Sequence, residues 1–564
     1  MTDAGLWTIG LAIAYTALLV TGGTVIQRRA ARKPATAGGF FVGGRTFSPL
    51  TVAVCITGLF SGSSYIAILE LSYHTGISAI WYGAAETVQV LLIALLLVKP
   101  LREKLVVTVT GMIGERFGRV AQIISGLITA FTFPMWSVAT AIAFASALAA
   151  FTDLSIYASI IVTAVLLLVF LWFGGMRAIA FSQTMNCFAF IAMLAVGLTA
   201  FLIRPGFVGL AELATTDPKM LDLSNSGVTL VVAWFGTFIV NVLLAQAAFQ
   251  MSLSCRTPED GQKGLFLAAG FGLPLIVGGT ILGTAAAIVV PNQALGLVAV
   301  PTYISQVLPA PLVGVFFLGV WACALGWAGP CQFSGATSLG RDVGGALRPG
   351  ATEEQLVRYT RWSLVLLTGL MILFAFLRTE QAAWWNILAW TLRNGATLAP
   401  VLAVFFWPLA TRRAAYASLL TGFLAGLTWY QLGAWSPSSF HLGIHPVWVG
   451  MSINVVVLIS VTLATARWRL AADARRRSRG TVVATAWLAV IAVFALTSGW
   501  LNSSGLLGLA IFILVAIGAT TAFLLTEPAP EVEDTTPENT TSEDTTSEDD
   551  SAEKSAATAS VPVR

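Results

Sequence analysis

Long apolar stretches recur along almost the whole chain, and short segments that carry most of the charges separate them. A helix that crosses a bilayer needs about 20 mostly apolar residues, and about fifteen stretches satisfy that length. Only helices and closed barrels satisfy their backbone polar groups inside a membrane. The pattern therefore predicts an all-α integral membrane protein with spans at 6–26, 49–72, 77–98, 119–149, 156–175, 178–203, 228–254, 264–290, 311–338, 361–378, 382–407, 413–433, 446–465, 481–499 and 504–526.

The composition agrees with a membrane protein. Hydrophobic residues make up 57% of the 564 residues and charged residues 10%, whereas a soluble domain has about 25% charged residues. The net charge of +4 comes mostly from the connecting segments, so we predict no nucleic-acid partner. The five cysteines lie in or beside the apolar stretches without a CxxC pair, and we interpret them as small buried side chains.

Basic residues fall on alternate connections between the predicted spans. The first connection has several of them, the second has none and the third has several again. The positive-inside rule then places the N-terminus outside and the C-terminus in the cytoplasm. The first apolar run has no basic segment before it, so we interpret it as a retained span of a cytoplasmic-membrane protein rather than a signal peptide. The basic residues of the first and third connections are Arg28, Arg29, Arg32, Lys33, Arg45, Lys99, Arg102, Lys104 and Arg116.

The composition changes abruptly at Glu527. Acidic residues, Thr, Ser and Pro dominate the last segment, which repeats Thr-Thr-Ser-Glu-Asp. Such a segment cannot bury enough apolar surface to fold alone. We therefore predict a disordered acidic cytoplasmic tail over 527–564, which is either simply solvated or binds a protein partner.

Two predicted spans contain polar interruptions. The segment 57–64 has two glycines and three serines, which form poor helix in mid-membrane. Backbone freed there can bind ions or solutes, although small residues also allow close helix packing. Five spans later, 228–254 contains Trp234, Gly236, Thr237 and Asn241, and it crosses in the opposite direction. The pair predicts an inverted repeat, with halves 49–203 and 204–407 and flanking segments 1–48 and 408–526, and with both interrupted helices broken.

Three charged residues stand inside predicted spans, namely Glu70, Glu86 and Arg393. An isolated charge at mid-bilayer costs at least about 2.5–3.5 kcal/mol, so each needs a partner or a wet cavity. Arg393 could form a structural salt bridge with Glu70 or Glu86. Alternatively, these residues form a proton or anion site, and an Arg393 that faces a cavity would favour a carboxylate.

Several short motifs resemble those of the sodium/solute symporter family. Phe41 to Arg45 resembles its Phe-x-x-Gly-Arg motif, and Tyr73 to Gly76 resembles its Tyr-x-x-Gly motif. Similar matches occur at Gly174-Gly175-Met176-Arg177-Ala178, at Gln250 with Arg256, and at Arg341-Asp342. The similarity extends in order from about residue 35 to residue 465. It implies a ten-helix core of two inverted five-helix repeats with flanking helices, and symport of small organic solutes by alternating access.

The chain departs from the family at residues that the resemblance assigns to sodium. Trp327 and Ala328 stand where hydroxyl ligands are expected, and Leu59 replaces a polar residue. The Thr-Asp pair that the family links to ion exit reads Ser182-Gln183. Hard cations need oxygen ligands, so sodium coupling is doubtful and a proton is the alternative coupling cation.

The sequence therefore predicts a cation-coupled secondary transporter of a small polar organic solute. A solute receptor derived from a transporter is the alternative. We expect no enzyme activity, no cofactor and no resident metal, because no nucleophile, phosphate-binding loop or metal cluster is visible. Predicted solute-binding residues are Gly58, Phe60, Ser61, Ser64, Trp234, Asn241, Gln332 and Arg393, and predicted ion-coupling residues are Thr57, Phe60, Ser334, Thr337, Ser338, Glu70 and Glu86.

Overall fold

A computed structural model describes residues 2–30, 40–41, 43–103, 108–172, 176–293, 296–379 and 382–529. The side chains of 27–30, Ser61, Ser63 and Glu103 lie outside the described part. Residues Met1–Pro528 form one compact unit. The predicted tail lies outside the described residues from position 530 onward.

The described unit is almost entirely helical, and one short antiparallel pair of strands, β1 (Trp468–Leu470) and β2 (Thr526–Pro528), joins its C-terminal end to the connection after α20. The helices in chain order are α1 (Asp3–Ala30), α2 (Pro49–Ile56), α3 (Gly62–Thr75), α4 (Ile80–Leu92), α5 (Val98–Glu103), α6 (Val109–Phe117), α7 (Arg119–Phe151), α8 (Ile156–Trp172), α9 (Met176–Ile203), α10 (Gly206–Thr216), α11 (Val228–Asn241), α12 (Gln246–Ser252), α13 (Pro258–Val289), α14 (Gly296–Val307), α15 (Ala310–Thr337), α16 (Gly344–Leu347), α17 (Glu353–Leu377), α18 (Ala382–Phe406), α19 (Arg412–Leu432), α20 (Pro446–Thr465), α21 (Ala474–Ser503) and α22 (Leu507–Leu525).

Every predicted span coincides with a helix or with consecutive helices of the described chain. By length and composition, 11 helices could cross a membrane, or up to 12 if the bent pair is one span. The fifteen predicted spans exceed this count partly because Pro49–Arg102 runs as one helical stretch of 54 residues, where the sequence predicts two spans. In addition, α8 is only 17 residues long. The count of fifteen therefore stays a prediction.

The first of the two interrupted helices is not broken, and the prediction of a break there was wrong. A π-helical segment, Thr57–Ser61, connects α2 to α3 without loss of helical structure. A Cβ at Gly58 would lie 2.0 Å from Oε1 of Gln183, so the glycine permits close contact with α9 rather than an unwound backbone. The wider turn is typical of π-bulges, which often occur at functional sites.

The second interrupted helix is broken as predicted. The axes of α11 and α12 differ by 48°, and the residues 242–245 between them lie outside both helices. The break is not at Gly236, where a Cβ would lie 1.9 Å from the ring of Trp448. Gly236 instead allows α20 to pack closely against α11.

Helices α7, α15 and α18 form the buried centre of the unit, and α21 and α22 lie at its periphery. Leu496 of α21 is 87% exposed, as expected for a side chain that faces lipid. Helices α18, α19 and α20 meet at glycines, because a Cβ at Gly422 would lie 1.9 Å from the carbonyl oxygen of Gly395. Close approach through small residues is a common way to pack helices in membranes.

Glu70 joins α3 to the beginning of α18. Its carboxylate accepts hydrogen bonds from the backbone N–H groups of Ala382 (2.8 Å) and Ala383 (2.5 Å). The first N–H groups of a helix have no partner within the helix, and the helix dipole favours a negative charge there. Arg393 lies eleven residues farther along α18, roughly 16 Å along the helix axis, so Glu70 serves as a helix cap rather than as the partner of Arg393.

Replacement of this cap should destabilise the protein. We expect Glu70→Ala to lower the free energy of unfolding by about 2 kcal/mol, because two buried hydrogen bonds to a charged acceptor are lost. Glu70→Gln keeps one acceptor and should cost less. Thermal unfolding of the purified protein in detergent measures both effects, with the exposed Glu212→Ala as control. An unchanged unfolding temperature for Glu70→Ala would contradict the capping role.

The predicted orientation can be tested with exposed loop residues. Ser438 lies in a connection that we predict to be outside, and Glu354 lies in one that we predict to be cytoplasmic. We expect a membrane-impermeant maleimide to label Ser438→Cys in intact cells, and to label Glu354→Cys only after permeabilisation. The unmodified chain is the control, since four of its cysteines are buried. The reverse labelling pattern would invert the topology.

Candidate functional site: a cavity at the helix break

A small cavity, with room for about one water molecule, lies where α11 and α12 separate. The π-helical segment and helices α7, α15 and α18 form the rest of its wall. Helix α11 brings Asn241 to the cavity at its last residue, and α12 brings Gln246 at its first. The lining residues are Leu59, Phe60, Phe133, Trp136, Asn241, Ala245, Gln246, Ala247, Ala248, Trp327, Cys331, Trp390 and Arg393.

Five aromatic rings line the cavity, and hydrogen bonds hold two of them in place. The indole N–H of Trp327 donates to the carbonyl oxygen of Trp136 (2.7 Å), and that of Trp136 donates to the carbonyl oxygen of Asn386 (3.2 Å). The ring centroids of Trp136 and Trp390 are 6.0 Å apart. The ring of Phe60 lies 6.4 Å from that of Trp327. These contacts fix a rigid apolar surface that suits the body of a small organic molecule.

Arg393 brings a buried positive charge to the cavity. Its guanidinium donates to Oδ1 of Asn241 and lies over the ring of Trp136, with Cζ 4.4 Å from the ring centroid. Its Nε has no hydrogen-bond partner among the described residues. Within that part of the chain, no carboxylate lies within salt-bridge distance of the guanidinium, so Arg393 forms neither of the two predicted salt bridges.

Gln246 connects the cavity lining to a hydrogen-bonded network. Nε2 of Gln246 donates to Oγ of Ser338 (2.8 Å) and to the carbonyl oxygen of Ser334 (3.1 Å). Its Oε1 accepts from the backbone N–H of Val109 (3.1 Å), and Oγ of Ser334 donates to Gln250. These bonds connect α12, α15 and α6, so two of the predicted ion-coupling residues already bind protein groups here.

Gln183 occupies the contact between the π-helical segment and α15. Its Nε2 donates to the carbonyl oxygen of Gly326 (2.7 Å), and its Oε1 accepts from Asn186 (3.0 Å). Oδ1 of Asn186 in turn accepts from the hydroxyl of Tyr15 in α1 (2.8 Å). A Cβ at Gly326 would lie 2.7 Å from the carbonyl oxygen of Gly58, so the two helices already touch. The side-chain amide of Gln183 thus binds the carbonyl oxygen of Gly326 where these two helices meet.

Glu86 lines a second small cavity, which Phe60 also borders. Its Oε2 accepts a hydrogen bond from the hydroxyl of Ser64. Its Oε1 is buried and has no partner within the described chain. The structure therefore connects two predicted residues, Ser64 and Glu86, and leaves one carboxyl oxygen available.

The other predicted residues are distributed around these features. Thr337 donates to its own helix at Phe333 (2.8 Å). Trp234 packs on Tyr82, with ring centroids 5.6 Å apart, outside the lining of the larger cavity. The side chain of Ser61 lies outside the described residues. Buried polar atoms without a partner among described residues include Oγ1 of Thr57, Nε1 of Trp234 and both amide atoms of Gln332.

The aromatic wall could not be predicted from the sequence. Trp136 and Trp390 lie in long apolar helices, where a tryptophan is ordinary, and nothing in their local sequence indicates a cavity. Gln246 is a polar residue in an apolar segment, but its contacts in the cavity lining depend on α15 and α6. Such contacts between distant segments require the fold.

Comparisons with known proteins agree with the motifs. The sequence profile described as "Sodium:solute symporter family" matches residues 40–422. The uncharacterized symporter YwcA of Bacillus subtilis (strain 168) is 23% identical over 450 residues, which cover 73% of this chain and 85% of that protein. The sodium/pantothenate symporter of Escherichia coli (strain K12) is 21% identical over 295 residues, 51% of this chain and 60% of that protein.

A solved structure shares the fold. A Na⁺-coupled sialic acid symporter in a substrate-bound outward-open state aligns with a TM-score of 0.66 at 14% identity, covering 82% of this chain and 98% of that chain. The predicted fold class, an inverted-repeat transporter core with flanking helices, is thereby confirmed. Because the matching profile covers more than half of the chain, this protein belongs to the sodium:solute symporter family.

Proposed function

We propose that the protein is a secondary active transporter that couples the entry of a small polar organic solute to a cation, by alternating access across the cytoplasmic membrane. The observation that carries this proposal is the cavity at the break between α11 and α12. Broken helices in inverted-repeat transporters place solute sites at the midplane between the repeats. The rigid aromatic wall and the single buried guanidinium in the lining give this cavity both an apolar and a charged contact.

We propose further that sodium is not the coupling cation. Of the two residues that the family resemblance assigns to sodium ligation, Trp327 donates its N–H to Trp136, and Ala328 has no side-chain oxygen. Farther along the same helical stretch, Ser334 and Ser338 are engaged with Gln250 and Gln246, and Thr337 bonds its own helix at Phe333. Sodium is a hard cation that needs several oxygen ligands, so this donor set supports weak binding at best.

A proton on Glu86 is the coupling cation that we propose instead. One oxygen of Glu86 accepts from Ser64, and the other is buried beside Phe60 without a partner in the described chain. A protonated carboxyl can donate a hydrogen bond in addition to accepting one, so the group has distinct contacts in its two protonation states. Phe60 borders both cavities, which supports a coupling between this carboxyl and the proposed solute site. Glu70 is the weaker candidate because both of its oxygens cap α18.

Transport can be tested with proteoliposomes and a panel of labelled solutes, which includes pantothenate and sialic acid from the relatives and benzoate and hexanoate as smaller probes. Protein-free liposomes, which take up benzoate and hexanoate passively as the neutral acids, give the background to be subtracted. At a fixed internal pH of about 7, uptake above that background should rise as the external pH falls, because protons then move inward with the solute. Replacing external potassium by sodium should not change uptake. A protonophore should abolish accumulation. Saturable stimulation by millimolar sodium would contradict proton coupling, and binding without uptake would favour a receptor.

Glu86→Gln should uncouple transport from the pH gradient. The amide cannot take up a proton, so accumulation against a gradient should disappear, whereas exchange of labelled for unlabelled solute should survive. Thr87→Ala is a matched control, since Thr87 lines the same cavity and bonds only its own helix at Gly83 (2.9 Å). Accumulation by Glu86→Gln at the wild-type level would exclude Glu86 as the proton carrier.

A further inference from the structure

We propose that the transported solute is a small carboxylate with an apolar body, and that Arg393 binds its carboxylate directly. The inference rests on the proposed function, because it names the class of solute for the same cavity. The juxtaposition that carries it is a buried guanidinium without a counter-ion among the described residues, in the wall of a largely apolar cavity.

Arg393 carries a buried charge. The side chain is 3% exposed, and it lies in α18, which is one of the central helices. Buried charges in proteins are normally paired, and a charge inside a membrane protein normally faces a partner or a functional cavity. Among the described residues, the nearest acceptor is the neutral amide oxygen of Asn241 rather than a carboxylate.

The protein groups around Arg393 compensate only part of this charge. The C-terminal end of α11, at Asn241, contributes about half an elementary negative charge at most. The faces of Trp136 and Phe133 lie 4.4 and 5.6 Å from Cζ and attract a cation weakly. A carboxylate in the cavity would supply the full compensating charge.

The hydrogen-bond donors of the lining also favour Arg393 as the group that binds an anion. Nε of Arg393 is buried without a partner in the described chain, and one terminal nitrogen bonds Asn241. A guanidinium binds carboxylates through parallel N–H···O bonds, and this planar arrangement is stronger than contact with a neutral acceptor. By contrast, the amide of Gln246 and the indole N–H groups of Trp136 and Trp327 already bind protein carbonyl or hydroxyl groups. Arg393 is therefore the cationic group of the lining with donor capacity for an anion.

The cavity lining around Arg393 indicates the rest of the solute. In this state the cavity has room for about one water molecule, so it must widen before a solute enters. The aromatic rings of Phe60, Trp136, Trp327 and Trp390 lie around that space. A solute that binds there would place a carboxylate on Arg393 and an apolar body against these rings, and benzoate and hexanoate are simple probes of that class.

The test compares these two acids with their uncharged amides, benzamide and hexanamide, on the purified full-length protein. Binding raises the unfolding temperature by mass action, so a titration of the thermal shift gives an apparent affinity for each probe. We expect both acids to stabilise the wild type and both amides to bind about tenfold to about a hundredfold more weakly. Arg393→Gln should remove this preference, and Arg393→Lys should keep part of it.

A second variant tests the inference even if the Arg393 variants do not fold. Asn241→Asp is nearly isosteric and places a carboxylate next to the guanidinium, so it should raise the unfolding temperature without ligand and abolish stabilisation by the acids. Thr397→Ala is the control on the same helix, since its hydroxyl bonds only the carbonyl oxygen of Arg393 within α18 (2.8 Å). It should leave the preference for acids unchanged.

Several results would overturn the inference. Equal binding of acids and amides, no stabilisation by either acid at millimolar concentration, or an intact preference for acids in Asn241→Asp would each do so. The proposed function would survive these results if proteoliposomes accumulate an uncharged solute. It fails separately if no solute of any class is accumulated.

Discussion

The arrangement of the helices around the cavity depends on one constraint. The guanidinium of Arg393 is buried at the end of α11. Helix α11 ends at Asn241, and the C-terminal end of the helix dipole gives that point a partial negative charge. Asn241 and the ring of Trp136 then hold the guanidinium at the break. An intact helix through residues 242–245 would remove both the cavity and the favourable environment for the cation.

The buried acidic residues are used in different ways. Glu70 stabilises the first turn of α18 and so positions the helix that carries Arg393. Asp342, beyond the end of α15, accepts from Thr110 and pairs with Arg341 at 3.3 Å. Glu86 alone among these three combines burial with a carboxyl oxygen that has no partner in the described chain. The structural contacts of the first two explain why Glu86 is the acid that we assign to coupling.

Hydropathy predicted the positions of the helices well, because each span must bury its own backbone bonds in an apolar stretch. It could not predict the form of the interruptions. The glycine- and serine-rich segment 57–64 stays helical because Gly58 packs against Gln183, whereas the break at 242–245 falls in the apolar sequence Val-Leu-Leu-Ala. Of the site, the sequence identified Phe60, Asn241 and Arg393 as candidates. It could not identify Trp136 and Trp390, because only the packing of distant helices makes them neighbours of Arg393.

The central claim is that the cavity at the break opens alternately to the two sides of the membrane. Cys331 lines this cavity and is buried, so it reports access directly. The measurement is the reaction rate of Cys331, as the only remaining thiol, with a small membrane-impermeant reagent added to either side of sealed vesicles. The account predicts reaction from both sides, with rates that a transported solute changes in opposite directions. Reaction from neither side, or from one side under every gradient, would contradict it. The cysteines to be replaced are Cys55, Cys187, Cys255 and Cys323.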